Sequence, residues 1–342
     1  MPALAQELAH PGWRGNSIAP EPWYRHTTLV RFPAGTTFAQ AIAGMDAMST
    51  VGADSMILPD LTPPAGAPHP FAGTFGTEDQ LDTLLREASA RRMHVLLQAP
   101  LARLAANPGE ARFWMNHGLA GFDVGTVTPA DLGSLQTLRT TLDHLPGQRI
   151  LLARGTGLDS SRGAPLAFRI VSGDMASGAG QQFIEVAAPP SAPKPPVAQP
   201  ASQTGTDADP ALLQSFLPLL LAPGQPIFDS RIIGSVEGRN ALHQILQLRN
   251  GHPALRNGHA TVLQTGDIHA WLVKGTAGQR SIVLVQNTGS APAGLHLEQP
   301  LKTAGARGTF LRVFFRTDNG MGPLHLEGNL MPPGTFAIAE LQ

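Results

Sequence analysis

An α/β domain followed by an antiparallel β-sandwich is the fold class predicted for this chain of 342 residues, and three observations predict it. Short apolar strands alternate with amphipathic helices through the first half, the pattern of βα units around a parallel sheet. From Ala260 onward the helical period gives way to short alternating segments separated by Gly, Asn, Asp and Pro, which suits a sandwich of about 80 residues. The length itself fits two domains, at roughly 150 residues each.

The elements follow in chain order. Residues 27–32 (TTLVRF) read as a short buried strand. Residues 36–51 read as a helix that Thr36 or Thr37 can cap, with Phe38, Ile42, Met45 and Met48 at helical spacing. Residues 54–59 form a second strand ended by Pro59, and a Pro/Gly/His-rich loop runs on to Thr74. A helix capped by Thr77 carries Leu81, Leu84, Leu85 and Ala88 as its apolar stripe. Its acids lie early and Arg91 and Arg92 late, as the helix dipole prefers.

Strands at 93–98, 121–124 and 149–153 alternate with helices at about 109–117 and 129–143. Five strands of this kind suit either a barrel or an open doubly wound sheet. The pattern then degrades. Residues 188–210 are rich in Pro and Ala with almost nothing to bury, a linker or extended loop. A helix resumes at 209–222, a strand at 225–229 and a helix at 237–250.

Composition excludes several function classes. Basic and acidic residues number 24 and 25, a net charge of −1, without the Lys/Arg excess that duplex binding needs. Nucleic acid is not an expected partner. There is no cysteine, which removes disulfides, thiolate chemistry and Cys-based zinc sites. No run of 18 apolar residues exists, so no integral membrane helix is encoded. Ala3-Leu4-Ala5 before Gln6 looks like the end of a secretory cleavage site, and an extracytoplasmic protein, secreted or periplasmic, is the expectation.

Several phrases, in order, carry a resemblance to one known family. GTEDQLDTLLREASARRMHVLLQAP (76–100) looks like the family's unit leading into strand three. FWMNHGLAGFDVGTV (113–127) is similar to the unit that delivers the nucleophile on strand four. APGQPIFDSRIIG (222–234) resembles the strand-eight segment, and RNALHQILQLRNGHPALRNG (239–258) the last barrel helix and its exit. AWLVKG, RSIVLVQNTG and NLMPPGTFAIAEL are similar to the C-terminal β domain. Together they resemble the alpha-amylase superfamily, glycoside hydrolase family 13, over about Trp23 to Leu341. The resemblance implies a (β/α)8 TIM-type barrel, shortened or incomplete, followed by a C-terminal antiparallel β-sandwich. The domains it implies are an N-terminal extension (1–22), a degenerate barrel (23–258) and a β-sandwich (259–342).

Carried over residue by residue, the family's chemistry fails. Its strand-four motif reads Gly121, Phe122, Asp123, Val124, Gly125, which places Gly125 at the nucleophile and Asp123 at the supporting Arg. The acid/base Glu of strand five falls on Arg154, which stays protonated at any useful pH. The Asp-x-Val-x-Asn-His of strand three begins at Gln98 and continues Ala99, Pro100, Leu101, Ala102, Arg103, so its Asp, Asn and His are gone. The Asn-His-Asp after strand seven is not found, nor is the domain inserted after strand three. Retaining hydrolysis needs two carboxyl groups about 5–5.5 Å apart. By strand alternation Asp123 should face the barrel interior about 6.5 Å deeper than Gly125, where an ion pair with Arg154 is the expected role.

The expected function is therefore that of a non-catalytic, alpha-amylase-like pseudoenzyme acting as a protein-interaction or scaffold module. The extracellular heavy subunits of heteromeric amino-acid transporters resemble it in kind, lacking the inserted domain and the catalytic acids and acting by binding a partner. One alternative is an α-glucan-binding protein, with Trp23 and Tyr24 before strand one as candidate sugar platforms. A second is a divergent glycoside hydrolase or transglycosidase, which needs two carboxyl groups facing each other within about 10 Å. No metal site is expected from the scattered His residues, because no His-Glu-x-x-His and no helical i, i+4 pair occurs. No cofactor is expected either: 171–182 and Asp159-Ser160-Ser161 match neither a phosphate loop nor a nucleophile elbow and read as mobile loop.

Overall fold

The computed structural model describes residues 22–63, 71–155, 158, 166–172, 182–188, 212, 215–275, 278–318, 320 and 322–342. Eight parallel strands close a barrel in sequence order: β1 (Leu29–Arg31), β2 (Ser55–Leu58), β3 (His94–Gln98), β4 (Gly121–Val127), β5 (Ile150–Gly155), β6 (Phe168–Ser172), β7 (Gln182–Val186) and β8 (Gln225–Asp229). β8 returns to β1 with Leu29 opposite Ile227 and Arg31 opposite Asp229. The closure between strands five and eight, open in the sequence, is made by β6 and β7.

Both of those strands went unread because each is only five residues and one lies on either side of a Gly-rich stretch. The loop expected over 171–182 is corrected at its ends, since Val171 and Ser172 belong to β6 and Gln182 to β7. Residues 173–181 lie outside the described part, as do Ser160, Ser161, 1–21 and, apart from Ala188, the stretch 188–210.

Helices cover the barrel. In α1 (Phe38–Thr50) and α2 (Glu78–Ala90) the caps are capping boxes, Thr37 with Gln40 and Thr77 with Gln80. Each satisfies two end N–H groups reciprocally, which is why both helices begin one residue after a threonine. α3 (Leu101–Ala106), α4 (Pro108–Asn116) and α5 (Leu132–Asp143) follow. α6 (Leu217–Leu221), α7 (Ser230–Gly234), α8 (Val236–Gly251) and α9 (Pro253–Asn257) also belong to the layer. The unread helix α3 sits where the sequence suggested only a connection after Pro100.

Arg249 of α8 ties this layer to the barrel floor, donating to the carbonyls of Leu219 at 3.2 Å and Gly224 at 2.5 Å. Burial, with the charge of Arg256, pushes its pKa down to about 10, which leaves it cationic at neutral pH. Among the described residues no helix is long and apolar enough to cross a membrane.

The chain passes from α9 through Gly258 into an antiparallel region with two sheets. Six strands run in the order β14 (Leu324–His325), β13 (Phe310–Arg316), β16 (Phe336–Leu341), β11 (Ile282–Asn287), β10 (Ile268–Lys274), β9 (His259–Gln264). A two-stranded sheet pairs β12 (Ala293–His296) with β15 (Glu327–Met331), and a short helix α10 (Glu298–Thr303) follows β12.

One face of the large sheet, through Val273, Ile282, Leu284, Phe315, Phe336 and Ile338, is continuous with the apolar layer around the barrel. The other face packs under the small sheet through Leu272, Val283, Val285, Leu295, Met331 and Ala339. The period of two along β10, β11 and β16 supplies both faces at once.

Candidate functional site

The barrel interior is built by period two. Leu29, Ile57, Leu96, Leu152, Phe183 and Ile227 fill the middle. Two residues further along the same strands, the inward positions turn polar. These are Arg31 on β1, Gln98 on β3, Arg154 on β5, Glu185 on β7 and Asp229 on β8; Asp123 of β4 sits opposite Gln98 in register and joins them. This layer lies at the C-terminal ends of the strands, the end at which barrel enzymes place their chemistry.

Four of these side chains form one charge-balanced set. Arg31 Nη1 lies 2.6 Å from Asp123 Oδ2, and Arg31 Nε lies 2.8 Å from Glu185 Oε1. Arg154 Nη2 donates to both Glu185 oxygens, at 2.8 and 2.7 Å, while its Nη1 lies 3.8 Å from Asp123. Asp123 is fully buried. Burial works to lower the Arg154 pKa, but the Glu185 hydrogen bond and the Asp123 charge outweigh it and hold it above its usual value. The Arg31 contacts are ionic rather than aligned hydrogen bonds: Arg31 Nε and Nη2 and Asp123 Oδ2 are buried without an aligned partner. At the rim, burial works to raise the Asp229 pKa, and the bonds from Arg231 with the charge of Arg31 outweigh it and hold it low.

The expected Asp123–Arg154 pair is therefore the longest contact of a larger set. Arg31 and Glu185 were missed as its partners. A signal for them was present, since LVR, LLAR and FIEV each carry one charged side chain two residues after an inward apolar one.

Gly125 has φ +76°, a left-handed backbone that L side chains adopt at a cost. The pairing of β4 with β5 shifts register between Asp123 and Thr126. This bulge corrects the simple alternation assumed for 123–125. The other oxygen of Asp123, Oδ1, accepts the N–H of Gly125 at 3.0 Å and holds the bend.

Asp123 and Glu185 contact one guanidinium, so their nearest oxygens lie within about 8 Å of each other, the most that two such contacts across a planar guanidinium allow. That bound falls inside the limit of about 10 Å set for the divergent-hydrolase alternative. Both carboxylates are engaged by guanidiniums, Asp123 by Arg31 and Glu185 by Arg31 and Arg154. Gln98 ends β3 beside Asp123.

Trp23 and Tyr24 lie at the opposite end of the barrel. Trp23 stacks on His94, the first residue of β3, with ring centroids 4.0 Å apart, and donates Nε1–H to the Gln148 carbonyl at 3.2 Å. Tyr24 packs on Phe168, the first residue of β6, at 4.9 Å. Both rings close the floor against the interior core.

His94 is half-buried there. Burial lowers its pKa; the charge of Asp54 opposes this and that of Arg149 adds to it. The unfolded chain therefore binds this proton more readily than the folded one. Stability should fall as pH drops below about 6.5 and level off once the folded pKa is passed. Urea midpoints at pH 7.5 and 5.5 check this: His94→Gln should show a smaller drop than wild type, and an equal drop would clear His94 of the effect.

Among the described residues no group of three His, Cys, Asp or Glu side chains could hold a metal ion.

No family model matches the chain, and no curated protein matches its sequence. Solved structures do match its fold. The isomaltulose synthase of Klebsiella sp. LX3 superposes with a TM-score of 0.65 at 9% identity, covering 94% of this chain and 99% of that one. A trehalulose synthase gives 0.65 at 10% identity over 94% and 100% of the two chains. The debranching enzyme of Nostoc punctiforme gives 0.62 at 13% identity over 93% and 98%. Likeness at such identities is likeness of fold: a closed eight-stranded βα barrel with a β-rich C-terminal region.

Proposed function

We propose that this protein is a non-catalytic representative of the alpha-amylase-like fold, a pseudoenzyme that works as an interaction or scaffold module for a protein partner. One observation carries the first half of the reading. The layer where a two-carboxylate centre would sit is occupied by Arg31, Asp123, Arg154 and Glu185 in mutual ionic contact. Arg154, fixed as a cation, stands on the strand from which a proton donor would act. Gly125, without a side chain, stands at the nucleophile position of the resemblance. The binding role rests on the same resemblance to the transporter heavy subunits, which act through a partner.

A panel of α-glucosides incubated with a large excess of enzyme tests it. Wild type and Gly125→Asp should both be inert. Turnover by wild type that Asp123→Asn abolishes would overturn the reading, since the chemistry would then have been rebuilt on the Asp123–Glu185 pair.

A second reading, binding of an α-glucan at the same mouth, is favoured by the unaligned Arg31 Nε and Nη2. Nη2 has no partner among the described residues, and a donor in that state suits a sugar hydroxyl or a water. Titration with maltooligosaccharides separates the two: binding that Arg31→Met weakens supports the glucan, and its absence leaves the protein partner.

A further inference from the structure

A cleft of about 880 Å³ opens between the last long barrel helix and the large C-terminal sheet. It falls in the size range of small-molecule sites and lies where two packed units meet, a frequent place for them. From α8 come Gln244, Gln247 and Leu248, and His252 follows. From the opposite side come Phe310, Phe314 and Phe315 of β13. The register of β13 shifts between Val313 and Phe315, which turns Phe315 to the face that Phe310 and Arg312 share.

The chemistry of the wall is one-sided. Its apolar part is three phenylalanines with Leu248, Val313 and Pro323; its polar part is Gln244, Gln247, His252, Arg312 and Arg316. No carboxylate is among these lining groups. The nearby acids are already taken: Asp318 is bound by Arg316, and Glu340 by Arg280. Arg312 sits opposite Glu340 of β16 in register and its charge acts on that carboxylate too, so among the described residues three guanidiniums, of Arg280, Arg312 and Arg316, meet two carboxylates.

A sugar is a poor match. Phe314 is already a stacking partner, of His252 with centroids 4.3 Å apart, and Arg312 lies 5.9 Å from its ring centroid. There is also no acceptor carboxylate for hydroxyl donors.

We propose that this cleft binds an anionic amphiphile, a small carboxylate whose apolar body lies along Phe310, Phe315 and Leu248 and whose charged end meets Arg312. Charge-assisted hydrogen bonds to a guanidinium fix the head, and the tail leaves water. This site is separate from the barrel mouth and stands or falls independently of the function proposed for it.

Ligand-observed NMR titrations with octanoate and its uncharged twin 1-octanol at pH 8 test it, on wild type, Arg312→Gln and Gln244→Trp. Octanoate should bind wild type on the order of tenfold more tightly than octanol. Arg312→Gln should erase that preference without weakening octanol, and Gln244→Trp should weaken both by filling the cleft. The proposal is overturned if octanoate does not bind at millimolar concentration, if octanol binds as tightly, or if octanoate binding survives both substitutions unchanged.

Discussion

Asp123→Ala should cost about 3–5 kcal/mol of folding free energy, the usual penalty for removing one partner of a buried ion pair. The side chain is fully buried and carries two duties. Its Oδ2 answers Arg31 at 2.6 Å, and its Oδ1 holds the N–H of Gly125. Alanine abandons both, leaving two guanidiniums facing Glu185 alone.

Urea denaturation reads the effect directly, as a midpoint lowered by about 1 M or more for a slope near 3 kcal/mol/M. Asp123→Asn separates the duties, because its amide oxygen can still accept from Gly125 while the charge is gone, and it should fall between wild type and alanine. Replacing all four groups together, Arg31→Met, Asp123→Leu, Arg154→Met and Glu185→Leu, should recover much of the loss, since a complete buried set can often be exchanged for apolar groups at little cost. An alanine variant within about 1 kcal/mol of wild type would mean that solvent screens the set as it does an exposed pair.

Trp114→Ala should be comparably damaging, at about 3–5 kcal/mol, through a different mechanism. The indole is fully buried on α4. It meets Phe113 edge-on at 5.2 Å and Phe71 at 6.1 Å. Its loss removes apolar burial and leaves a cavity that a helix pinned on both sides cannot close. Pinning comes from Arg103, which contacts Glu110 at 3.1 Å and Asp60 at 2.9 Å. Trp114→Phe should cost roughly half as much, because more of the volume is kept. Thermal or urea unfolding of the pair checks the order; equal stability for Ala and wild type would show that α4 reorganises freely.

The first five barrel strands were legible because each is a short apolar run between capped helices, with Thr37 and Thr77 marking two helix starts. β6 and β7 were not, because FRIVS and QFIEV are too brief to show a period and no helical pattern separates them clearly. Asp123 and Arg154 could be read as partners from their alignment on adjacent strands. Arg31 and Glu185 could be read as inward charges, but not as partners of that pair. Their meeting depends on barrel closure, which brings β1, β4, β5 and β7 around one axis although Arg31 and Glu185 are far apart in sequence. The position of Trp23 and Tyr24 was equally a matter of direction: a segment before β1 enters from the floor, while the polar layer lies at the other end of the same strands.

The apolar layer that runs from the barrel helices onto one face of the large sheet has a consequence for inheritance. A crossover at Gly258 that grafted a foreign C-terminal region onto this barrel would expose the partners of Val273, Ile282, Leu284, Phe336 and Ile338 to water. The two regions are successive in the chain but interlocked in their core, so a substitution on one side limits what the other side accepts. Changes in the helices α8 and α9 would have been admitted only when the sheet could refill the space they left.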